Sequence, residues 1–207
     1  DEVAVGTLPR PVQAELPVWI TTAGNPDTYR MAAAIGANVL TNLLGPTIDE
    51  VADRVRIYRE TLEEHGFDPQ RGRVTMMLHT FVGDDLDSVR ETVRQPMIDY
   101  LGSALGLVKN FAAQWTAFKK RADGSTDVDL ESLSDGDMAD LLEYSFERYF
   151  ETSGLFGTPE RCLEMVDQLK GVGVDEVACL IDFGVDTDIA LAHLEDLDRL
   201  RRMSVAR

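Results

Sequence analysis

The 207-residue sequence has only two cysteines and three histidines, and it is short of positive charge. Twenty Lys and Arg residues stand against 37 Asp and Glu residues, which gives a formal net charge of -17. Such a chain repels polyanions, so we expect neither nucleic acid nor an anionic membrane surface as a partner. The sequence also lacks an apolar run long enough to span a bilayer, and its first residues lack the pattern of a signal peptide. We therefore expect a cytoplasmic protein.

The two cysteines, Cys162 and Cys179, fall in a predicted helix and a predicted strand. They have neither metal-ligand spacing nor histidines nearby. We predict that both are small buried hydrophobic residues, with no disulfide and no metal site. The hydrophobic content of 44% and the chain length favour a single domain around one substantial core.

Short apolar, β-branched runs alternate with amphipathic segments along most of the chain. Strands are predicted in the runs 17–24, 37–45, 73–83 and 174–184, and the last two are expected to be buried in a parallel sheet. Helices are predicted between and after them, and the second begins with a capping box of Thr47 and Glu50 and ends near His65. Residues 102–153 are interpreted as a long insertion with helical parts at 107–121 and 138–154. This order predicts an α/β protein with a parallel sheet, either doubly wound or a barrel. A (β/α)8 barrel needs about 250 residues, so roughly half of its strands would be missing.

The best candidate for binding chemistry is the strand-to-helix turn TTAGNPDT at residues 21–28. Gly24 precedes Asn25, which has the features of a helix N-cap, and Thr28 adds a hydroxyl in the first helical turn. Unpaired N–H groups and the helix dipole at such a turn favour a phosphate. The alternative is an ordinary turn in which Asn25 only caps the helix, and spacing alone favours that alternative.

Two side chains near the carboxyl ends of predicted strands are candidates for catalysis. His79 could act as an acid, a base or a hydrogen-bond donor to a cofactor ring, or it could be a buried core histidine. Asn42 ends the second strand, and Asp182 ends the last strand, where a turn or cap role is the simpler interpretation for the aspartate.

Three segments closely resemble the luciferase-like monooxygenases, in particular the mupirocin-pathway type found in natural-product biosynthesis. They are the run 9–45, the run TMMLHTFVGDD at 75–85, and the run 147–188 that contains GLFGTPERC and GVDEVACLIDFG. The resemblance implies a (β/α)8 TIM-barrel fold in which reduced FMN and O2 oxidise an organic substrate in nonribosomal peptide or polyketide biosynthesis. It also implies that the chain is the C-terminal part of the barrel, with about the last four strands.

The resemblance further implies where the cofactor would lie. In this family the turn after the fifth strand helps to hold the flavin phosphate, and here that turn contains Thr22, Ala23, Gly24, Asn25 and Thr28. Asn42 and His79 are then expected to face the flavin or the substrate as catalytic groups.

The expected partners are a separate flavin reductase and a substrate that is either a free small molecule or bound to a carrier protein. We also expect a homo-oligomer or completion of the barrel by an upstream segment. Two alternatives remain open: a non-catalytic fragment or scaffold that needs a partner segment, and an F420-dependent oxidoreductase of the same fold. The unpaired edges of a half barrel favour the first of these.

Overall fold

The fold is a parallel sheet whose strands are connected through helices. A computed structural model describes residues 12–13, 15–103 and 134–205. The strands are β1 (Trp19–Thr21), β2 (Asn38–Asn42), β3 (Val74–Val82), β4 (Leu155–Gly157) and β5 (Glu176–Leu180). The helices are α1 (Pro26–Ala34), α2 (Ile48–Glu64), α3 (Leu86–Ser103), α4 (Asp135–Thr152), α5 (Pro159–Gly171), α6 (Thr187–Ala192) and α7 (Leu194–Val205). The predicted α/β class with a parallel sheet is confirmed.

The strand β3 is the centre of the sheet. It pairs with β2 through residues 74–77 and, along its other edge, with β5 through residues 75–79. The short strand β4 pairs only with Thr80–Val82, beyond the ends of both neighbours. Within the described part of the chain, β1 has β2 as its single strand neighbour and β5 has β3. Both outer edges of the sheet therefore have unpaired backbone groups.

The two faces of the sheet build two separate cores. Val74, Met76 and Leu78 of β3 point to the face covered by α1, α2, α5 and α7, and they belong to the larger core. The alternate residues Thr75, Met77, His79 and Phe81 point to the opposite face, which we call the inner face. Phe81 belongs to a second core, in which α3 and α4 pack over the carboxyl end of β3. Because both faces are covered, β3 is buried along nearly its whole length, as predicted.

Local sequence signals place most helix ends correctly. Thr47 and Glu50 form the predicted capping box at the start of α2: the Glu50 amide donates to Thr47 Oγ1 at 3.3 Å, and the Thr47 amide donates to Glu50 Oε2 at 2.8 Å. Gly36, just beyond α1, has a φ of +68° and closes that helix in the left-handed conformation. His65 caps the end of α2 as predicted, with its Nδ1 2.9 Å from the Thr61 carbonyl oxygen.

Two predictions about strands are wrong. The sequence predicts four strands, and the structure has a fifth, β4, whose three residues are too few to produce a periodic pattern. The run 174–184 was predicted to be a buried strand, but β5 is half exposed because it lies at an edge of the sheet. For the same reason Cys179, on β5, is exposed, whereas Cys162 on α5 is buried as predicted.

Three helical predictions have different outcomes. The single tail helix predicted for 187–203 is in fact two helices, because the chain breaks at His193, whose ring nitrogen lies 2.9 Å from the Ile189 carbonyl oxygen. The helix predicted within 138–154 is confirmed as part of α4. The helical segment predicted at 107–121 lies outside the described residues.

Candidate active site

The turn between β1 and α1 has the strand-to-helix geometry that its sequence predicts. Asn25 is the N-cap, and its side-chain oxygen accepts a hydrogen bond from the Asp27 amide at 3.0 Å. Gly24 has a φ of +98°, a conformation that residues with a Cβ rarely adopt. Glycine is thus required for the chain to turn sharply from the strand into the helix.

The turn offers hydrogen-bond donors that the protein itself does not use. Within the described ranges, the backbone amides of Ala23, Gly24 and Asn25 make no hydrogen bond, whereas the Thr28 amide donates to the Asn25 carbonyl at 3.2 Å. Free amides just before a helix are a favourable place for an anion. The free donors come from the turn itself, since Pro26 has no N–H and the next two amides are already used.

A guanidinium group adds positive charge to the same turn. Arg54, on α2, donates from Nε to the Gly24 carbonyl oxygen at 2.9 Å, and this bond holds the guanidinium against the backbone of the turn. Asp27 in the first turn of α1 has the opposite charge, but its carboxylate is paired with Arg30 at 2.8 Å. The dipole of α1 and the guanidinium of Arg54 thus both favour an anionic group at the turn.

Thr22 is part of the turn in sequence, but its side chain faces away from it. Its amide continues the sheet by donating to the Leu40 carbonyl at 2.9 Å, so its side chain points to the helix-covered face, next to Thr41. The hydroxyls of Thr22, Thr41 and Tyr29 are buried there, and the described residues offer them no hydrogen-bond partner of normal length. Burial raises the pKa of Tyr29, and the nearby Thr41 hydroxyl and Arg54 partly oppose this shift. Thr22 is thus separated from the exposed residues of the turn.

Asn42 lies at the end of β2 with its side chain on the inner face. In the sheet it pairs with Met77, two residues before His79. Its side-chain oxygen accepts a hydrogen bond from the Leu44 amide at 3.1 Å, which stabilises the turn after β2. The carboxamide is partly exposed, so its NH2 group can still donate to a ligand on the inner face.

His79 is completely buried on the inner face of β3. Its Nδ1 lies 2.7 Å from the Tyr149 hydroxyl, and its ring makes edge-on contacts with Tyr100 at 4.5 Å and Phe183 at 5.4 Å between centroids. Burial lowers the pKa of His79 to about 4, although the Asp182 carboxylate acts in the opposite direction. The imidazole is therefore neutral at physiological pH. Its Nε2 is buried and has no hydrogen-bond partner among the residues that the structure describes.

Tyr149 and Arg54 are the functional candidates that the sequence analysis missed. Tyr149 stands 70 residues after His79, and Arg54 stands 30 residues after Gly24. Each occupies an ordinary position in an amphipathic helix, so no local signal distinguishes it from its neighbours. Only the packing of α4 and α2 against the sheet brings these residues to the candidate site.

The sheet register relates the candidate residues to one another. Asn42 and His79 share the inner face on adjacent strands, and standard strand spacings put their Cα atoms roughly 8 Å apart. The Thr21–Leu40 pair brings Ala23 to the level of Asn42, one strand farther from β3. The turn and the two predicted catalytic side chains thus lie at the same carboxyl edge, where α/β folds bind ligands.

The described part of the chain contains neither a metal-binding cluster nor a membrane-spanning helix. In the ranges 12–13, 15–103 and 134–205, no group of three or more His, Cys, Asp or Glu side chains could hold a metal ion. In the same part of the chain, none of the helices has the length and apolar character needed to cross a membrane.

Comparison with known families gives a match over most of the chain. A sequence profile described as luciferase-like monooxygenase matches residues 3–176. No curated protein matches the chain significantly.

Solved structures with the same fold include enzymes of several kinds. A monooxygenase, RslO1, from Streptomyces bottropensis is 17% identical, with a TM-score of 0.60 over 93% of this chain and 49% of its own. A coenzyme F420-dependent tetrahydromethanopterin reductase from Methanopyrus kandleri is 18% identical, with a TM-score of 0.56. The match covers 89% of this chain and 51% of the reductase. The oxygenating constituent of 3,6-diketocamphane monooxygenase from Pseudomonas putida, in complex with FMN, is 18% identical, with a TM-score of 0.54. The match covers 89% of this chain and 48% of that protein. The chain thus spans about half the length of these proteins.

Proposed function

The chain belongs to the luciferase-like monooxygenase family, and on that premise we propose that it forms part of an FMN-dependent monooxygenase. The observation that carries this proposal is the turn at Gly24, where three backbone amides make no hydrogen bond within the described residues and the guanidinium of Arg54 contacts the Gly24 carbonyl oxygen. Such a set of donors suits a phosphate monoester with its two negative charges. FMN has this group at the end of an extended chain, whereas riboflavin lacks it.

The residues of this chain then have distinct roles in the proposed site. The amides of Ala23, Gly24 and Asn25 and the hydroxyl of Thr28 bind the phosphate, and Arg54 stabilises its charge. Asn42 and His79 donate hydrogen bonds on the inner face, where the ring system or the substrate would lie. When bound, reduced FMN would supply the electrons with which O2 oxidises an organic substrate.

The wider setting of the reaction follows the same proposal. The substrate would be a free or carrier-bound intermediate of nonribosomal peptide or polyketide biosynthesis in the cytoplasm, and a separate reductase would supply the reduced flavin. The open edges at β1 and β5 favour completion of the barrel by an upstream segment or by association with a second copy.

Replacement of Gly24 tests the phosphate site against a matched control. In Gly24→Ala the new Cβ meets Pro46 at an ordinary contact distance of 3.5 Å, so the penalty arises from the φ of +98°. Gly66→Ala places the same strain at a φ of +80° in open space beyond α2. Each change should destabilise the protein by about 1–2 kcal/mol. Only Gly24→Ala should also displace the free amides.

The measurement is a fluorescence titration of each variant with FMN and with riboflavin. Loss of one charge-assisted hydrogen bond, worth about 1.5–3 kcal/mol, weakens FMN binding about 10- to 100-fold. The ratio of the FMN and riboflavin affinities should fall by that factor in Gly24→Ala and stay unchanged in Gly66→Ala. An unchanged ratio in Gly24→Ala would refute the phosphate site.

A second candidate function keeps the fold but uses coenzyme F420. Support comes from the F420-dependent reductase, which has the same fold as this chain. An F420 enzyme transfers a hydride and needs no oxygen, so turnover under strictly anaerobic conditions distinguishes the two functions. Oxygen consumption with reduced FMN would support the monooxygenase.

A non-catalytic fragment or scaffold is the third candidate, and the two unpaired sheet edges favour it. Circular dichroism and sedimentation of the isolated chain test it. A stably folded chain that binds FMN would contradict it, and aggregation or poor secondary structure would support it.

A further inference from the structure

The contact between His79 and Tyr149 defines the hydrogen-bonding state of the histidine. The Tyr149 hydroxyl is buried with the imidazole, and His79 Nδ1, at 2.7 Å, is its hydrogen-bond partner in the described structure. Burial raises the pKa of Tyr149, and the neighbouring Tyr100 contributes to the shift, so the phenol keeps its proton. The neutral imidazole has one N–H, and this proton can reside on either nitrogen.

The count of unsatisfied groups distinguishes the two tautomers. If Nδ1 had the proton, it would donate to Tyr149, and both the phenol proton and the Nε2 lone pair would be buried without a partner. If Nε2 has the proton, Tyr149 donates to Nδ1 and only the Nε2–H is left unpaired. One buried unsatisfied group costs about 1–3 kcal/mol, so the second arrangement is favoured.

We propose that Tyr149 is a positioning residue that fixes His79 as the Nε2–H tautomer, so that a neutral imidazole presents one buried donor to an acceptor atom of the bound ligand. Phe183 and Tyr100 contact the ring edge-on and hold its plane. The fitting ligand atom is a carbonyl oxygen or an aromatic ring nitrogen, since either accepts a hydrogen bond without bringing a positive charge into the pocket. This role of the donor rests on the proposed function, but the tautomer itself does not.

Access to the donor involves Tyr100. Among the three rings around His79, those of Tyr149 and Phe183 are buried, and that of Tyr100 is partly exposed. We therefore expect a ligand to approach the imidazole past Tyr100, at the carboxyl end of α3. Asp182 is the charged group whose field reaches the imidazole, and its carboxylate stabilises the protonated form.

Nitrogen-15 NMR of the full chain measures the tautomer directly, because the two neutral forms of imidazole have opposite patterns of nitrogen shifts. The chain contains three histidines, and loss of one set of signals in His79→Gln assigns the relevant ring. We expect His79 to be a single Nε2–H tautomer at neutral pH. If the spectrum of the ligand-free chain shows the proton of the neutral ring on Nδ1, the proposal is overturned.

Two tyrosine variants separate positioning from stability. Tyr58→Phe is the control, because Tyr58 is also fully buried and its hydroxyl donates to the Ala37 carbonyl at 2.9 Å, far along the sheet from His79. Both variants should lose stability to a similar extent. Only Tyr149→Phe should convert His79 into a mixture of tautomers and raise its pKa, because the donor that stabilises the neutral ring is lost.

The outcomes are distinguishable from those of the proposed function. If FMN fails to bind but His79 is a single Nε2–H tautomer that depends on Tyr149, the function is wrong and the positioning role stands. If FMN binds but Tyr149→Phe leaves the tautomer unchanged, the positioning role is refuted. If Tyr149→Phe does not fold, a Nε2–H tautomer in the unmodified chain supports the proposal and a Nδ1–H tautomer overturns it.

Discussion

Burial of His79 makes the stability of this protein sensitive to mildly acidic pH. The pKa of the imidazole is about 4 in the folded protein, against an ordinary value of 6.5. Below pH 6.5 the imidazole of His79 binds a proton in the unfolded chain but not in the folded protein. The free energy of unfolding therefore falls as the pH falls from 6.5 to 4. The two pKa values differ by about 2.5 units. This difference corresponds to a loss of about 3 kcal/mol in the free energy of unfolding by the time the pH has fallen to about 4. Above pH 7 both states are neutral and His79 contributes no pH dependence.

Urea unfolding of the unmodified protein and of His79→Gln, at several pH values between 7 and 4, isolates this contribution. Glutamine does not titrate, so the free energy of unfolding of the variant should fall less steeply, and the difference between the two proteins should shrink by about 3 kcal/mol over this range. The many carboxylates titrate equally in both proteins and cancel in the difference. His65→Gln, at the exposed end of α2, is the matched control. A constant difference between the unmodified protein and His79→Gln from pH 7 to 4 would refute the assignment of a buried neutral imidazole.

Two further predictions concern the turn and the start of α2. Thr28→Ala removes a hydroxyl from the proposed phosphate site, so FMN affinity should fall by about tenfold, consistent with one lost charge-assisted hydrogen bond. Riboflavin affinity should be unaffected, and unchanged FMN affinity in a fluorescence titration would contradict a contact by Thr28. Thr47→Ala removes the hydroxyl that accepts a hydrogen bond from the Glu50 amide, while the backbone amide of residue 47 can still donate to the Glu50 carboxylate. The change should lower the free energy of unfolding by about 1 kcal/mol in urea. Thr47→Ser should retain most of this stability, and equal losses in both variants would point to a cause other than the cap.

The sequence predicts the elements whose signals are local. Thr47 and Glu50 form the capping box because both partners lie within one helical turn, and Asn25 with Pro26 starts α1 for the same reason. The nearly continuous apolar run from Val74 to Val82 is typical of a strand covered on both faces. In each of these cases the residues that determine the structure are neighbours in the chain.

The errors arise where the structure depends on neighbours that are distant in sequence. The strand β4 exists because three residues pair with the protruding end of β3, and three residues are too short to show a period. The apolar run of β5 has the composition of a buried strand, but its exposure depends on whether a strand lies along its outer edge. Composition cannot reveal that edge, and the exposure of Cys179 follows from it.

The candidate site was predictable only in part. The sequence identifies the Gly24 turn and His79 because each ends or interrupts a regular pattern. It could not identify the partners that give them chemistry, because Arg54 and Tyr149 reach them through tertiary packing. Thr22 shows that closeness in sequence can also mislead. It is adjacent to the turn along the chain, but the alternation of side chains along a strand directs its side chain to the helix-covered face.

The inner face is covered unevenly, and this determines how an extended ligand could occupy the proposed site. At the carboxyl end of β3, α3 and α4 bury His79 completely, whereas Ala23 and Asn25, in the turn after β1, are exposed. A phosphate bound at the Gly24 turn would therefore lie at the open side, and the attached chain would pass Asn42 before it reached the aromatic residues around His79. Standard strand spacings put the turn roughly 12 Å from His79. Groups that far apart and without shared partners contribute independently to binding, so the phosphate site and the Tyr149–His79 pair can each be tested without assuming the other.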